Sequence, residues 1–437
     1  MPKISPNLLA LGGDINAING QVDVDDSELT AGWIWASLKD FGELDDGDWI
    51  LKQYYTPTGV RLLQIGDIGS AEFIGKSDRF ISIDAAQSLG CTFLKPGQVL
   101  ISRMPDPIGR ACIMPMLPYP AITAVDVTIL TPNPDVADAL FLMYLLNSQI
   151  NLSQCLRFSG GATRQRISRS NLSNVRLPLP PLPEQRAIAS VLRTVHQSKE
   201  ACESVIAATR QLKQSLLQYL FTYGPVPFGQ ADQVPLKETE IGLIPEHWTS
   251  YRIAELGRII TGKTPSTKIA DFWNGIIPFI TPVDLEDREI SRAERTISEA
   301  GLSEIKEIPR GSVAVSCIGY IGKVGLVMIE RSATNQQINT IVPRPCHNPT
   351  FLSYRLQTMR DQLNSAASIT TVPILNKSNF ENIKTWLPDL PEQTEIAAQL
   401  SAVDAKLAAE EIRRQALNNL FQSLLHHLMT GKVRVTA

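Results

Sequence analysis

Twice along the chain, apolar side chains recur at alternating steps of three and four residues over roughly five heptads. In the first run, positions 188, 191, 195, 198, 202, 205, 209, 212, 216 and 219 hold Ile, Val, Val, Ser, Cys, Val, Thr, Leu, Leu and Tyr. In the second, positions 396, 400, 403, 407, 410, 414, 417, 421, 424 and 428 hold Ile, Leu, Val, Leu, Glu, Arg, Leu, Phe, Leu and Leu. The pattern predicts two long helices, each roughly 55 Å at a rise of about 1.5 Å per residue. A lone helix of that length cannot bury its stripe, and the simplest partner is the other copy. Each run opens on the same four residues, Leu182-Pro183-Glu184-Gln185 and Leu390-Pro391-Glu392-Gln393, 208 positions apart. The reading starts each helix at the Glu, where a carboxylate suits the N-terminal dipole. Gly224 and Gly431 end the helices, the first with Pro225 and Pro227 behind it.

Upstream of each helix the pattern shortens to strands separated by Gly and Pro. Arg61 to Ile65 followed by Asp67 reads as a strand leaving into a loop, Lys95 to Ser102 as a turn entering a buried strand, and Phe141 to Leu146 as an apolar helix. The same order returns in Pro278 to Ile280 before Asp284, in Arg310 to Ser316, and in Phe351 to Leu356. Trp33 and Gly42 have partners in Trp248 and Gly257, each pair nine apart with an apolar-x-acidic-apolar-Gly ending. The offset between copies drifts from 217 to 208, which a few loop insertions produce while the elements stay. The chain is therefore a tandem repeat of two mixed α/β domains, each followed by one long helix. The boundaries read as 1–180 for the first domain with a loosely packed arm of about 30 residues, 181–223 for the first helix, and 224–247 for a Pro/Gly-rich linker. The second domain is 248–388, the second helix 389–431, and the tail 432–437.

Composition narrows the class. At 437 residues with 43% hydrophobic and 19% charged, the chain fits ordinary globular domains. A net charge of −3 gives no global electrostatic case for nucleic acid, so that case rests on local patches. The six cysteines have no C-x-x-C pair, which argues against zinc and disulfides and suits a reducing cytoplasm. No apolar run approaches 18 residues, so no membrane span is expected, and the start lacks a signal-peptide pattern.

Candidate catalytic motifs fail on context. Gly257-Arg-Ile-Ile-Thr-Gly-Lys263-Thr264 matches the phosphate-loop pattern, but Pro265 follows at once and no amphipathic helix does; a turn with a basic tip is the competing reading. Gly319, Gly322 and Gly325 have the wrong spacing for a dinucleotide fingerprint and read as a turn between strands. The five histidines show no ligand spacing, so no metal is expected. No Ser/His/Asp or Cys/His set can be argued, and the Asn/Asp-Pro-Pro-Tyr/Phe element of an amino-methyltransferase is missing. Catalysis by this chain alone is not expected.

The basic segments carry more. From Asn151 to Arg176 there are five arginines, 157, 164, 166, 169 and 176, and no carboxylate, interleaved with Ser, Gly, Gln and Asn. Small residues let backbone approach phosphate, Arg forks take phosphate or guanine, and Gln suits adenine. Arg157, Arg164, Gln165, Arg166 and Arg169 are the candidate DNA contacts there, with a solvated loop as the alternative. The matching stretch, Ala366 to Asn379, is polar and contributes Lys377. Arg103, Arg110, Lys263, Lys268, Tyr320 and Lys323, all in turn-rich stretches, complete the candidates.

Together these features resemble the specificity subunit of type I restriction–modification systems. The resemblance is carried by Leu179-Pro-Pro-Leu-Pro-Glu-Gln-Arg-Ala-Ile-Ala189 and its copy from Leu387 to Ala397, by Glu240 to Trp248, by Thr261 to Ser266, and by the ending Leu428 to Val435. It covers nearly the whole chain from Trp33. It implies two target-recognition domains that each read half of a split double-stranded DNA sequence, separated by two helices packed as an antiparallel coiled coil. It also implies a non-catalytic subunit on which two modification subunits dock, joined by restriction subunits, in phage defence. S-adenosylmethionine, ATP and Mg²⁺ belong to those partners, and adenine-N6 methylation and ATP-dependent cleavage are theirs. This chain is expected to hold no cofactor. Two features depart from the pattern: the first 30 residues are longer than a minimal first domain needs, and Arg164-Gln-Arg166 is more basic than its counterpart.

The residues support the same picture independently. A tandem repeat on a rigid spacer is a ruler, able to place two heads on major-groove sites roughly 34–36 Å apart. Unlike halves read an asymmetric site, and near-neutral charge leaves much of the phosphate contact to partners. The alternative is a coiled-coil scaffold whose domains bind protein without reading DNA.

Overall fold

The computed structural model describes residues 29–161, 163–240, 242–368 and 372–435. All but the last two residues of the N-terminal arm lie outside that set. The chain divides into two compact units, one drawn from Met1–Glu203 and Ile412–Ala437, the other Ser204–Glu411. Residues 182–203 and 412–429 of the two long helices belong to the first unit, and residues 204–223 and 390–411 to the second.

In the first unit, strands Gly42–Asp46, Val127–Pro132, Val99–Ser102 and Ala111–Ile113 form an antiparallel sheet in that order. A second sheet runs Tyr55–Thr56, Phe80–Ile81, Val60–Leu63, Ala121–Thr123, its last pair parallel with Leu62 opposite Ile122. Strand Ile34–Ser37 pairs antiparallel with Arg176–Leu179, closing the domain where chain enters and leaves it. Helix Ala139–Leu146 is apolar on every face, so it is buried from Phe141 to Leu146. Asp138 caps it by accepting from the amides of Leu140 and Phe141.

The second unit repeats this plan. Strands Gly257–Thr261, Ile338–Pro343, Val313–Ser316 and Val324–Val327 keep the order, with Arg288–Ile290 added as a parallel edge. The other sheet runs Arg295–Ile297, Trp273–Ile280, Arg331–Thr334, Ile308–Pro309, and Phe279 opposite Ala333 is again the parallel pair. Thr249–Arg252 pairs with Lys384–Leu387. Helix Pro349–Thr358 is capped by Asn348. The repeat reaches single atoms: a Cβ on Gly42 would lie 2.1 Å from the Thr131 carbonyl oxygen, and one on Gly257 2.1 Å from that of Val342. Only a residue without a side chain lets the first strand cross there.

The long helices are Leu182–Tyr223 and Leu390–Met429. They begin two residues before the Glu expected to open them, with the proline inside the first turn, where its missing N–H costs nothing. Gln185, fully buried, accepts from the Asp138 amide at 2.9 Å and donates to the carbonyls of Val136 and Pro180 at 2.8 and 2.9 Å. Gln393 does the same with the Asn348 amide and the Pro388 carbonyl, both at 2.9 Å. Each Gln therefore ties the long helix to the cap of the buried domain helix. Each Glu faces a buried tryptophan: Trp33 Nε1 donates to Glu184 at 3.1 Å, and Trp248 Nε1 to Glu392 at 3.0 Å. The Arg434 guanidinium completes the first site at 2.5 and 2.8 Å, and His247 the second at 2.7 Å. These contacts, beyond any dipole effect, are what the repeated Glu makes.

The expected seam of the first helix is out of phase in alternate positions. Val205 and Leu212 are 39% and 53% exposed, while Leu192, Ile206 and Leu220 are buried. The inward set is 188, 192, 195, 199, 202, 206, 209, 213, 216 and 220. Lys213 turns inward in place of Leu212 because Asp404 lies 2.7 Å from its ammonium and the Tyr354 ring 5.3 Å away. The second helix keeps its expected stripe except at Arg414, which is exposed. Within the first unit Ile188 and Leu192 share a core with Phe421, Leu424 and Leu428. Within the second, Leu220 and Phe221 share one with Ile396 and Leu400.

Candidate nucleic-acid interface

In the first unit, loops from distant parts of the sequence are stitched together at one end of the antiparallel sheet that begins with Gly42–Asp46. The Asp48 amide donates to the Thr123 carbonyl at 2.7 Å, that of Arg103 to Asp126 at 2.9 Å, and that of Ile167 to Arg103 at 3.1 Å. Gly160 and Arg166 bridge across the base of the basic loop. The second unit has the same stitches: Lys263 to Thr334 at 3.0 Å, Cys317 to Gln337 at 2.7 Å, and Leu375 to Cys317 at 2.8 Å, with Ser368 and Ile374 bridging the polar loop. Four connections thus meet in each unit: the exit of the first strand, a hairpin tip, the turn entering the next strand, and the polar loop.

The sequence candidates fall unevenly on this frame. Arg164 and Gln165 are exposed on the basic loop, and Arg157 is exposed with its guanidinium 5.0 Å from the Phe158 ring centroid. Arg166 and Arg169 are exposed too, but each leans on a carboxylate: Asp126 at 3.0 Å and Asp46 at 3.7 Å. Those aspartates come from other strands, so the absence of acids in the local sequence misses them. Arg103 is 3% exposed, lies 3.5 Å from Asp46 and donates to the Val125 carbonyl. Burial lowers its pKa against the pull of Asp46. Arg110 is 8% exposed and spends its whole fork on four carbonyls: Ile68 at 2.7, Ile65 at 2.9, Pro107 at 3.0 and Met104 at 3.1 Å. Burial lowers its pKa also. Both guanidinium groups lie inside the loops: the fork of Arg110 is spent on carbonyls, whereas the Arg103 Nε is buried with no hydrogen-bond partner among the described residues.

In the second unit, Lys263 and Lys268 are exposed beyond strand Gly257–Thr261, and the Lys263 ammonium touches the Glu304 carbonyl at 3.2 Å. The residues matching a phosphate loop are that strand and its exit turn, with no helix opened by it before the short turn Ala270–Phe272. Tyr320 is 83% exposed at the hairpin tip between Val313–Ser316 and Val324–Val327, with Gly319 and Gly322 in the tip and Gly325 inside the second strand. Lys323 is half-buried at its foot. Lys377 is exposed and pairs with Glu381 at 3.4 Å. One residue at this end was not a candidate: Gln336, exposed between Asn335 and Gln337. The run of three amides was a readable signal; its place beside Lys263 was not.

Among the described residues no group of three His, Cys, Asp or Glu is placed to hold a metal, and no helix is long and apolar enough to cross a membrane. The arrangement offers amides, guanidinium groups and an aromatic ring on rigid turns, which is equipment for recognition.

Comparison with known proteins is consistent with that. The family model for the type I restriction modification DNA specificity domain matches twice, over residues 31–207 and 245–419. The type I restriction enzyme MjaIX specificity subunit of Methanocaldococcus jannaschii is 32% identical over 195 residues, 43% of this chain and 45% of that one. The HindI specificity subunit of Haemophilus influenzae is 22% identical over 401 residues, 78% of this chain and 87% of its own length. The S subunit structure from M. genitalium superposes with a TM-score of 0.59 at 16% identity, covering 94% of this chain and 98% of that one. A chain from a structural study of type I restriction–modification complex assembly gives 0.54 at 18% identity, covering 92% and 98%. These two likenesses show a shared fold.

Proposed function

The chain belongs to the family of type I restriction–modification specificity subunits, and from that premise we propose that each unit reads one half of a bipartite, asymmetric DNA site through its four-loop cluster. The carrying observation is that the same stitched loops occur twice with different side chains on them: Arg164, Gln165, Arg166 and Arg169 dominate the first, Lys263, Lys268, Tyr320, Lys323, Gln336 and Lys377 the second. Exposed arginines and lysines at the cluster supply phosphate contacts, and amides and the tyrosine supply contacts to base edges. The long helices form an antiparallel coiled-coil spacer, a reading supported by the way the start of each helix shares a core with the end of the other inside each unit. Two modification subunits dock on this chain and bring S-adenosylmethionine, and restriction subunits bring ATP-driven cleavage with Mg²⁺. This chain itself carries out no reaction.

The test replaces the second recognition domain, about residues 248–388, with that of a relative of known specificity and maps methylated adenines. One half of the recognised sequence changes and the other stays; change in both or neither refutes the assignment. A heptad inserted into the first helix lengthens the unspecified spacer if the ruler holds. Salt-sensitive, sequence-dependent retardation of duplex DNA by the assembled methyltransferase separates this reading from a scaffold that binds only protein.

A further inference from the structure

The turn between strands Arg331–Thr334 and Ile338–Pro343 is Asn335-Gln336-Gln337, three amides with different fates. Asn335, 8% exposed, donates through Nδ2 to Gln337 Oε1 at 2.9 Å and accepts from the Gln337 amide at 3.1 Å. Those two side chains close the turn on each other. Gln336 is exposed, and its Oε1 accepts a hydrogen bond from Thr264 Oγ1 at 2.6 Å. Its Nε2 has no protein acceptor among the described residues. Thr264 is itself held: Gly262 and Lys263 donate to the carbonyls of Ile338 and Thr334 at 3.1 and 3.0 Å, and Pro265 is buried just behind it. The residues that imitate a phosphate loop therefore have another use here, which is to present one hydroxyl to one amide.

We infer that Gln336 is a specificity-determining residue that reads an adenine in the half-site of the second unit, with Thr264 as its positioning residue. The inference rests on the reading that this loop cluster meets DNA. Adenine shows an N7 acceptor and an N6 donor in the major groove, and a glutamine amide offers the complementary pair. The Thr264 hydroxyl takes one lone pair of Oε1 and so sets which way the amide faces. The second lone pair is left for N6–H, and Nε2–H for N7. Guanine presents acceptors at both positions, so the same amide meets it oxygen to oxygen. The first unit lacks this device. Its equivalent turn, fixed by the Arg103-to-Asp126 stitch, is Ala124-Val125-Asp126, and Asp126 faces Arg166.

The experiment uses the full chain assembled with the methyltransferase subunits of its host. Duplexes randomised at one base pair at a time are methylated and sequenced. With Gln336→Ala, discrimination at a single A·T pair of one half-site falls roughly 5- to 150-fold, the span of one bidentate base contact, while every other position keeps its preference. Gln336→Glu, which keeps the shape and replaces the donor by an acceptor, moves the preference at that pair away from adenine. Thr264→Val weakens discrimination at the same pair, and Thr264→Ser restores it, a rescue that a merely structural threonine would not show. Unchanged discrimination in Gln336→Ala, loss spread over several positions, or a half-site without an A·T pair overturns the inference. The domain exchange keeps the two ideas apart. If the half-site moves with the domain while Gln336→Ala reads as before, only the role of Gln336 fails; if the half-site does not move, the reading beneath it fails.

Discussion

Removing the Glu184 carboxylate is the sharpest perturbation of the joint between domain and helix. The side chain is 9% exposed and receives three donors: Trp33 Nε1 at 3.1 Å and two nitrogens of Arg434 at 2.5 and 2.8 Å. In Glu184→Ala the Trp33 indole N–H, on a residue 6% exposed, is left without an acceptor, at a cost of about 1–3 kcal/mol. The Arg434 side chain is 43% exposed, so it returns to water and its pairing contributes at the low end, about 1 kcal/mol. The total is about 3 kcal/mol, with a further effect on the tail, since Arg434 also donates to the Ala31 carbonyl at 3.0 Å. Glu184→Gln keeps an oxygen for the indole and loses the charge, at about 1–2 kcal/mol. Trp33→Phe removes one donor and leaves the ion pair, at about 1 kcal/mol.

Urea unfolding by circular dichroism measures these losses, each read with its m-value to show that the unfolding unit is unchanged. Carboxypeptidase digestion reports release of the tail. If Glu184→Ala loses less than about 0.5 kcal/mol, the ordinary spread of surface substitutions, the carboxylate is not holding the joint. Glu392→Ala is the internal control in the other unit, where Trp248 is 1% exposed and loses the same acceptor.

Four further outcomes are expected. Gly42→Ala and Gly257→Ala each force a methyl 2.1 Å from a carbonyl oxygen, so each lowers stability by about 1–3 kcal/mol, visible as an earlier thermal transition. Burial lowers the pKa of His347 and His426 below the ordinary 6.5; the unfolded chain then takes up protons first, so stability is full above pH 6.5 and falls as pH drops through it toward the folded values. His347→Gln flattens that slope in a melting series from pH 7.5 to 5, on the order of one buried titration. Five cysteines are buried and Cys346 is exposed, so a maleimide labels one thiol in the folded chain and six after denaturation. Burial pushes the Cys91 thiol up to about 11, which removes its thiolate as well. Arg110→Ala lowers stability by about 2–4 kcal/mol through the loss of four hydrogen bonds from one buried guanidinium, whereas Arg164→Ala leaves stability within about 0.5 kcal/mol and reduces the salt slope of DNA binding by about one.

The repeat and its elements were legible because their signals are local. Periodicity found both long helices, Gly and Pro marked the strands, and the Trp-to-Gly spacing found a crossing of strands that only glycine permits. What was not legible depends on neighbours far away in sequence. The inward face of the first helix slips by one residue at alternate positions because Lys213 answers Asp404, 191 residues on, and hydropathy alone prefers Leu212. The Asn151 to Arg176 stretch contains no acid, yet Asp46 and Asp126 temper Arg166 and Arg169. Arg110 looks like any loop arginine until four carbonyls close on it. Gln336 stands out only when its two neighbours are seen spending their amides on each other.

Joint and tip obey different energetics, and that difference gives the duplication its use. Gln185, Gln393, Trp33 and Trp248 are buried with their polar groups satisfied inside their own unit, so most substitutions there leave a buried donor or acceptor alone at about 1–3 kcal/mol each. At the tips the two copies have parted: Asp48 stands where the other has Lys263, Asp126 where it has Gln337, and Pro105-Asp106-Pro107 where it has Gly319-Tyr320. Their frames persist because the stitches run through backbone amides and carbonyls, which are indifferent to the side chain carried. Exposed side chains on such a frame exchange at within about 0.5 kcal/mol of stability, while one base contact shifts recognition by about 1–3 kcal/mol. On the proposed reading, a chain built this way changes what it reads far more readily than how it folds, one half-site at a time.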